Sequence, residues 1–383
     1  MRGHLVKRGK NSWSVVLFLG RDPATGNKKY QWHSVKGPKK NAERVLAEML
    51  YQMDNGGFVQ PTKCTVREFL RQWLKDYAAS NVRPLTAEGY AQKIERHIIP
   101  ALGKITLTDL QPSHIQAFYR DSLERGRLDG KGGLSPRTVL HIHRILYSAL
   151  SYAVRWNLVA RNVAQAVDPP RSGRKQMRTL DVEGVNRLLE ASKGTLYQPL
   201  IHLAVYTGLR RSELLGLRWR SVDLDMSTLA VVQILHHLKD GRIVFQEPKS
   251  LKGKRQVALS PSAVMALREY KHRQELERLL IGISLSPDDL VFANPDGSPF
   301  LPDSVTHAFI KIVRSTGLEG IRFHDLRHTH ASLMLRQGVH PKIVSERLGH
   351  ATVAITLDTY SHVTPGLQEA AALRFEEGLQ SVS

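Results

Sequence analysis

Two short runs rich in β-branched and aromatic residues open the chain, at positions 13–19 and 29–35, and both read as strands. Arg21-Asp22-Pro23-Ala24-Thr25-Gly26-Asn27 between them has hairpin-turn chemistry. Residues 5–8 add an edge strand. Pro38 begins a helix to about Met53, with Ala42, Val45, Leu46, Met49 and Leu50 as its apolar face. Gly56, Gly57 and Pro61 then mark a linker.

From Thr65 the apolar spacing changes to three and four. Val66, Phe69, Leu70, Trp73, Leu74 and Tyr77 share one face of a helix over residues 65–79, and a second helix over 86–102 breaks at Pro100 and Gly103. A third, over 112–125, carries Ile115, Phe118, Tyr119 and Leu123. Residues 126–133 form a glycine-rich basic loop without the lysine-serine/threonine ending of a phosphate cradle. Ser135-Pro136 caps and starts a helix to about Trp156, with Leu140, Ile145, Leu146, Ala149, Leu150 and Ala153 inward. The result is an all-helical domain of four or five helices, closed by the proline-rich basic stretch 168–175.

Beyond that boundary helices and strands mix. Residues 180–189 and 197–206 have helical spacing; Gly208 ends one helix and Ser212 restarts another. Arg210 therefore falls in a tight connection from which a side chain can be aimed into a cleft, although Arg210 beside Glu213 equally suits a structural ion pair. Strands follow at 228–235, 242–246 and 255–259. Residues 247–254, with Lys249, Lys252 and Lys254, read as a hairpin tip between the last two. Residues 261–280 and 303–314 are charged helices, and Leu367, Ala371, Phe375 and Leu379 line a final amphipathic helix over 367–379.

Charge sharpens this outline. The 383 residues carry 55 Lys plus Arg against 35 Asp plus Glu, a formal charge of +20, which favours a polyanionic partner, with nucleic acid first. Residues 1–60 alone hold 11 basic residues against 4 acidic ones, which makes a small sheet backed by one helix a plausible groove reader. A membrane surface fits less well, because no run of 18 apolar residues exists and the basic positions do not lie opposite an apolar helical face. The single cysteine, Cys64, excludes an internal disulfide and a thiolate metal cage, and with no opening signal peptide the expectation is a soluble intracellular protein.

Candidate chemistry concentrates near the C-terminus. Arg322-Phe323-His324-Asp325-Leu326-Arg327-His328-Thr329-His330 is followed by Leu348-Gly349-His350 and then by Thr359-Tyr360-Ser361-His362. A phenol of pKa ~10 is a poor nucleophile at neutral pH and becomes useful where cations stabilise the charge developing on the group it attacks. A phosphodiester is such a group: Arg327 can fork to two non-bridging oxygens, and His324, three residues earlier, shares its face if the segment is helical. By itself the same segment also reads as a solvated basic turn with a packing tyrosine.

Taken together, Thr207-Gly208-Leu209-Arg210 with Glu213, Lys249, His324-x-x-Arg327, Leu348-Gly349-His350 and Tyr360, in this order and at these intervals, resemble the tyrosine recombinase (phage integrase) family. The resemblance spans about residues 178–364 as the catalytic domain and reaches residues 65–167 as that family's core-binding domain. Residues 1–60 are similar to its three-stranded arm-binding domain, particularly through Arg21–Gly26. It implies a multi-domain α+β chain: an arm-type DNA-binding domain at 1–60, an all-α core-binding bundle at 63–168, and a mainly α catalytic domain with a small antiparallel sheet at 176–383.

The resemblance also implies roles. Arg210 and Arg327 would clamp the scissile phosphate, with Glu213 supporting, and His324 and His350 would donate hydrogen bonds to it. Tyr360 would attack and leave a 3′-phosphotyrosine link. Lys249 would protonate the departing 5′-oxygen, chosen over Lys252 and Lys254 because the family's lysine usually opens this turn with Ser or Thr after it. Neither metal nor ATP would be needed. The implied partners are double-stranded DNA at core and arm sites, a homo-tetramer on that DNA, and DNA-bending and directionality proteins, all in the cytoplasm at the nucleoid.

Two other readings compete. His324 and His328, four apart, match the histidines of a metal-dependent hydrolase, but Asp325 stands where the glutamate base belongs and Arg327 sets a cation against the metal. A DNA-binding regulator that kept the fold without catalysis is the second, and the full set of expected catalytic side chains opposes it. Within the family, the arm-like residues 1–60 favour the integrase of a phage or other mobile element over a chromosome-dimer resolvase.

Overall fold

The computed structural model describes residues 3–21, 25–54, 63–173, 177–248, 250–360 and 367–380. The chain divides into two compact units, Met1–Gly173 and Arg174–Ser383. The expected turn residues Asp22, Pro23 and Ala24, the linker residues Gly56, Gly57 and Pro61, and Lys249 lie outside the described residues.

In the first unit β1 (Gly3–Gly9), β2 (Ser12–Arg21) and β3 (Lys28–Lys36) form an antiparallel sheet with β2 in the middle. Leu5 and His33 flank Val15 on either side. Val15, Val16 and Leu17 are buried, and α1 (Lys39–Asp54) lies against all three strands with Ala42 inward. On β3, Tyr30 and Trp32 stay exposed, and the Arg8 guanidinium sits 5.0 Å from the Trp32 ring, a cation–π contact at the surface.

The helical part starts with α2 (Val66–Trp73). Thr65 caps it: its hydroxyl accepts from the Glu68 N–H, and the Glu68 carboxylate accepts from the Thr65 N–H at 2.8 Å. A π-helical turn, Leu74–Ala78, carries the helix on. α3 (Pro84–Lys93) likewise passes through a π-helical turn, Ile94–Ile98, into Ile99–Leu102, so the expected break at Pro100 does not occur. The widened turn opens the hydrogen-bond ladder just where the missing proline N–H would leave a carbonyl unpaired. α4 (Pro112–Arg125) and α5 (Pro136–Arg155) complete the bundle around Phe69, Trp73, Ile94, Ile98, Tyr119 and Leu146.

The second unit is mainly helical. α6 (Val182–Ser192), α7 (Gln198–Thr207) and the short α8 (Arg211–Leu215) precede β4 (Val222–Asp223), β5 (Thr228–Val231), β6 (Ile234–His237), β7 (Ile243–Gln246) and β8 (Arg255–Ala258). The expected single strand at 228–235 is two strands: β4-β5-β8 form one sheet and β6-β7 another. The break falls at Val232-Gln233, where the Gln233 amide turns aside to donate to the Gly216 carbonyl at 2.7 Å. Because β7 and β8 belong to different sheets, residues 247–254 do not cap a hairpin. The described ones among them, 247, 248 and 250–254, are an excursion opposite that break, with a 3₁₀ turn at Leu251–Gly253.

Next come α9 (Pro261–Leu279), α10 (Pro302–Ser315), α11 (Asp325–Arg336), α12 (Pro341–Leu348), α13 (Val353–Tyr360) and α14 (Leu367–Gln380). The main core gathers Leu188, Leu200, Leu214, Leu267, Phe292, Phe309 and Leu326. A smaller one, Ala331, Leu335, Val344, Leu348 and Tyr360, fastens α11, α12 and α13 to each other. On α14, Leu373, Phe375 and Leu379 are exposed. No helix among the described residues is long and apolar enough to cross a membrane.

The main core makes a direct stability claim. Phe292 is fully buried whereas Leu280, just past α9, is 87% exposed. Phe292→Ala should destabilise the second unit by about 3–5 kcal/mol and Leu280→Ala by less than about 0.5 kcal/mol, read as urea midpoints.

Candidate active site

The site is assembled where two helices end. Gly208 terminates α7 in the left-handed conformation at φ 65°, and Gly349 terminates α12 at φ 68°. Each is glycine for space as well as for φ: a Cβ on Gly208 would lie 2.7 Å from Leu348 Cδ2, and one on Gly349 would lie 2.9 Å from the Lys252 carbonyl oxygen.

Arg327, on the first turn of α11 and only 3% exposed, joins these two ends. Its Nη1 donates to the Gly208 carbonyl at 3.0 Å and its Nη2 to the Leu348 carbonyl at 2.6 Å. A buried cation is expensive, and the negative ends of two helices are a natural counterweight. Burial and then the nearby Arg210 guanidinium pull Arg327 down to about 9, so it remains cationic at neutral pH.

Arg210 opens α8. Its backbone N–H and its Nη1 both donate to Glu213, at 2.9 and 2.6 Å, while its side chain keeps 38% of its surface exposed. Glu213 is 3% exposed and takes a second fork from Arg255 on β8, at 3.2 and 3.0 Å. Burial works to raise the Glu213 carboxyl, but the Arg255 fork and the Arg210 charge outweigh it and hold the group below its ordinary range. The ion pair read from the sequence is therefore present, and it aims Arg210 rather than consuming it. Arg255 Nε in turn donates to the Arg347 carbonyl, and Arg347 reaches the carbonyls of Tyr206 and Ala258.

His324, His350 and Tyr360 share this neighbourhood, since each feels the charges of both Arg210 and Arg327. His324 sits just ahead of α11, and burial followed by the Arg327 and Arg210 charges lowers it. His350 hydrogen-bonds through Nδ1 to the fully buried Thr356 hydroxyl at 2.8 Å, and burial with the same two cations brings it to about 4. Tyr360 is 1% exposed and burial pushes its phenol up to about 12. Its hydroxyl lies 2.7 Å from His328 Nδ1.

The structure thus gathers Arg210, Glu213, His324, Arg327, His350 and Tyr360 from four separate stretches of chain. Of the alternative lysines, Lys252 donates to the Ala351 carbonyl and Lys254 pairs with Glu247, each at 2.7 Å. Both border a cavity of about 210 Å³ with Arg255 and His350. Three further residues matter. In the sequence His328 suggests only a metal ligand paired with His324, yet its ring meets His324 edge to face at 5.1 Å and its Nδ1 faces Tyr360. The i,i+4 spacing to His324 was its signal. Arg255 and Thr356 carried no sequence signal, because their partners lie 42 and 6 residues away.

Residues 178–366 match the phage integrase family, and residues 65–123 match the phage integrase N-terminal SAM-like domain. The chain belongs to this family, the tyrosine recombinases, which cleave and rejoin DNA. Among similar proteins, a tyrosine recombinase XerC-like protein of Caldanaerobacter subterraneus subsp. tengcongensis is 27% identical over 379 residues, covering 94% of each chain. An integrase of Streptomyces ambofaciens is also 27% identical, covering 95% of this chain and 93% of its own. The fold is shared with the Tn1549 transposon integrase solved with a circular intermediate DNA, at TM-score 0.66 and 20% identity over 82% of this chain and 99% of that one. It is also that of a lambda integrase dimer bound to a COC′ core site, at TM-score 0.59 and 18% identity over 93% of each.

The lowered histidines give a pH dependence. His328, His330 and His350 stand at about 4, mainly through burial, against an unfolded value near ~6.5. Each binds a proton more weakly folded than unfolded, so its contribution to stability is fully present above pH ~6.5 and is lost as pH falls toward 4. The unfolding midpoint should drop steeply across that window, and His350→Asn, which removes one such group, should flatten the drop.

Proposed function

We propose that this chain is the integrase of a phage or other mobile element, and that Tyr360 breaks DNA by attacking a phosphodiester held by Arg210, Arg327, His324 and His350. The observation that carries this reading is that Arg210 and Arg327 act on one buried tyrosine, with His324 and His350 in the field of the same two cations. The two guanidiniums offset the extra negative charge of the pentacoordinate transition state, and Arg327 needs no reorganisation because two carbonyls already fix it. His350 is neutral at pH 7; in the tautomer whose Nδ1 accepts from the Thr356 hydroxyl, its proton sits on Nε2 and is available to a phosphate oxygen. Glu213, forked by Arg255, sets the direction of Arg210.

Attack leaves a 3′-phosphotyrosine, and a lysine of the 247–254 excursion, Lys249 by resemblance, protonates the departing 5′-oxygen. The ester conserves the energy of the broken bond, so a 5′-hydroxyl from partner DNA reverses the step with no call on ATP or metal. Residues 176–383 are the catalytic domain in this reading, 63–168 grip the core site, and 1–60 bind arm sites with the face that exposes Trp32 and Arg8. Two protomers occupy each core site and four synapse two sites, in keeping with a lambda integrase of the same fold that is a tetramer bound to a Holliday junction. DNA-bending and directionality proteins would assist, and the work takes place in the cytoplasm at the nucleoid.

The test uses a nicked suicide duplex carrying a core half-site, first selected by binding from a randomised pool. In EDTA the wild type should form a covalent protein–DNA band that Tyr360→Phe abolishes, and Arg210→Ala should slow its formation by roughly 10²–10³-fold. Tight binding with no covalent band would instead make the chain a non-catalytic DNA-binding protein.

A further inference from the structure

A phenol that attacks phosphorus must lose its proton, and the roles above leave that proton without a destination. Tyr360 is 1% exposed, so its phenol lies almost entirely out of bulk water. The hydrogen bond of that hydroxyl goes to His328: Nδ1 lies 2.7 Å from Oη, with ring centroids 5.7 Å apart and planes tilted by 53°. Both rings are packed against neighbours. Tyr360 is packed in the small core with Leu335, Val344 and Leu348, and His328 is on α11 one turn after His324, whose ring abuts it at 5.1 Å.

We propose that His328 is the general base of the reaction, its Nδ1 taking the Tyr360 proton as Oη attacks phosphorus. This rests on the phosphotyrosine reading given above. In the cleavage step the phenol O–H bond breaks while Nδ1–H forms, and Oη–P forms while P–O5′ breaks. The departing 5′-oxygen takes a proton from the cationic acid on its own side. The products are a 3′-phosphotyrosine, an imidazolium and a free 5′-hydroxyl. On rejoining, a 5′-hydroxyl attacks phosphorus and returns its proton to that acid, the P–Oη bond breaks, and the imidazolium gives its proton back to the phenolate.

The surroundings suit that task. His324, Asp325, Arg327 and Arg322 face the ring from α11 and the turn before it, His350 from the loop before α13, and Tyr360 from α13 itself. Burial first, then His324 and the arginines against Asp325, keep the ring neutral at pH 7, and in the tautomer protonated at Nε2 the Nδ1 lone pair faces Oη. A phosphodiester seated between Arg210 and Arg327 brings negative charge that offsets those cations. Bound DNA therefore strengthens the base at the moment when it is needed.

Single-turnover cleavage of the nicked duplex by the full chain tests this, with wild type, His328→Ala and His328→Asn compared. Asparagine can accept the phenol's hydrogen bond but cannot take its proton. Both variants should bind the duplex as wild type does and cleave it about 10²–10³-fold more slowly. Added imidazole should restore the alanine variant, and fluorotyrosine at position 360, which gives up its proton more readily, should narrow the gap to wild type. Wild-type cleavage by either variant overturns the proposal, as does an alanine defect that neither imidazole nor fluorination relieves. Tyr360→Phe run in parallel separates the two claims: an adduct that persists in it removes the phosphotyrosine reading itself, whatever His328 does.

Discussion

The second unit depends on one buried guanidinium. Arg327 is fixed by the carbonyls that close α7 and α12, and each of those helices ends in a left-handed glycine that brings the carbonyl within reach. Desolvating an arginine costs several kcal/mol unless its donors are used, so the arrangement is tolerable only when both helix ends are in place. That requirement orders the connection bearing Arg210 and the loop bearing His350 at the same time. The geometry of the candidate site and the local folding are thus one constraint.

A second tier of arginines spreads that constraint outward. Arg255 fastens Glu213, which aims Arg210, and also grips the carbonyl of Arg347, which reaches back to Tyr206 and Ala258. The sheet strand β8, the helix α12 and the end of α7 are therefore tied together through these side chains. The charge so concentrated suits an anion, while the buried imidazoles stay neutral and keep their hydrogen-bonding choices open.

Much of this was legible in the chain. The strands of β1 to β3, the capped start of α5 at Ser135 and the glycine stop at Gly208 follow from local spacing and turn chemistry, whereas the set of candidate site residues is read from motifs in the order and at the intervals of a known family. What was not legible involves distant partners or small changes of ladder. The π-helical turn before Pro100 depends on packing in the bundle, and the division of 228–235 depends on Gln233 finding a carbonyl 17 residues away. Arg255 looks like any basic strand residue until Glu213 is brought beside it, and His328 gains meaning only when α13 lays Tyr360 against α11.

Amide hydrogen exchange on Arg327→Lys tests the central claim most directly. Lysine keeps a charge but cannot span both carbonyls. If Arg327 holds the site together, the segments 206–210 and 347–351 should lose protection together while the first unit is unaffected. Unchanged protection in both segments would contradict the account and leave Arg327 as a phosphate contact alone.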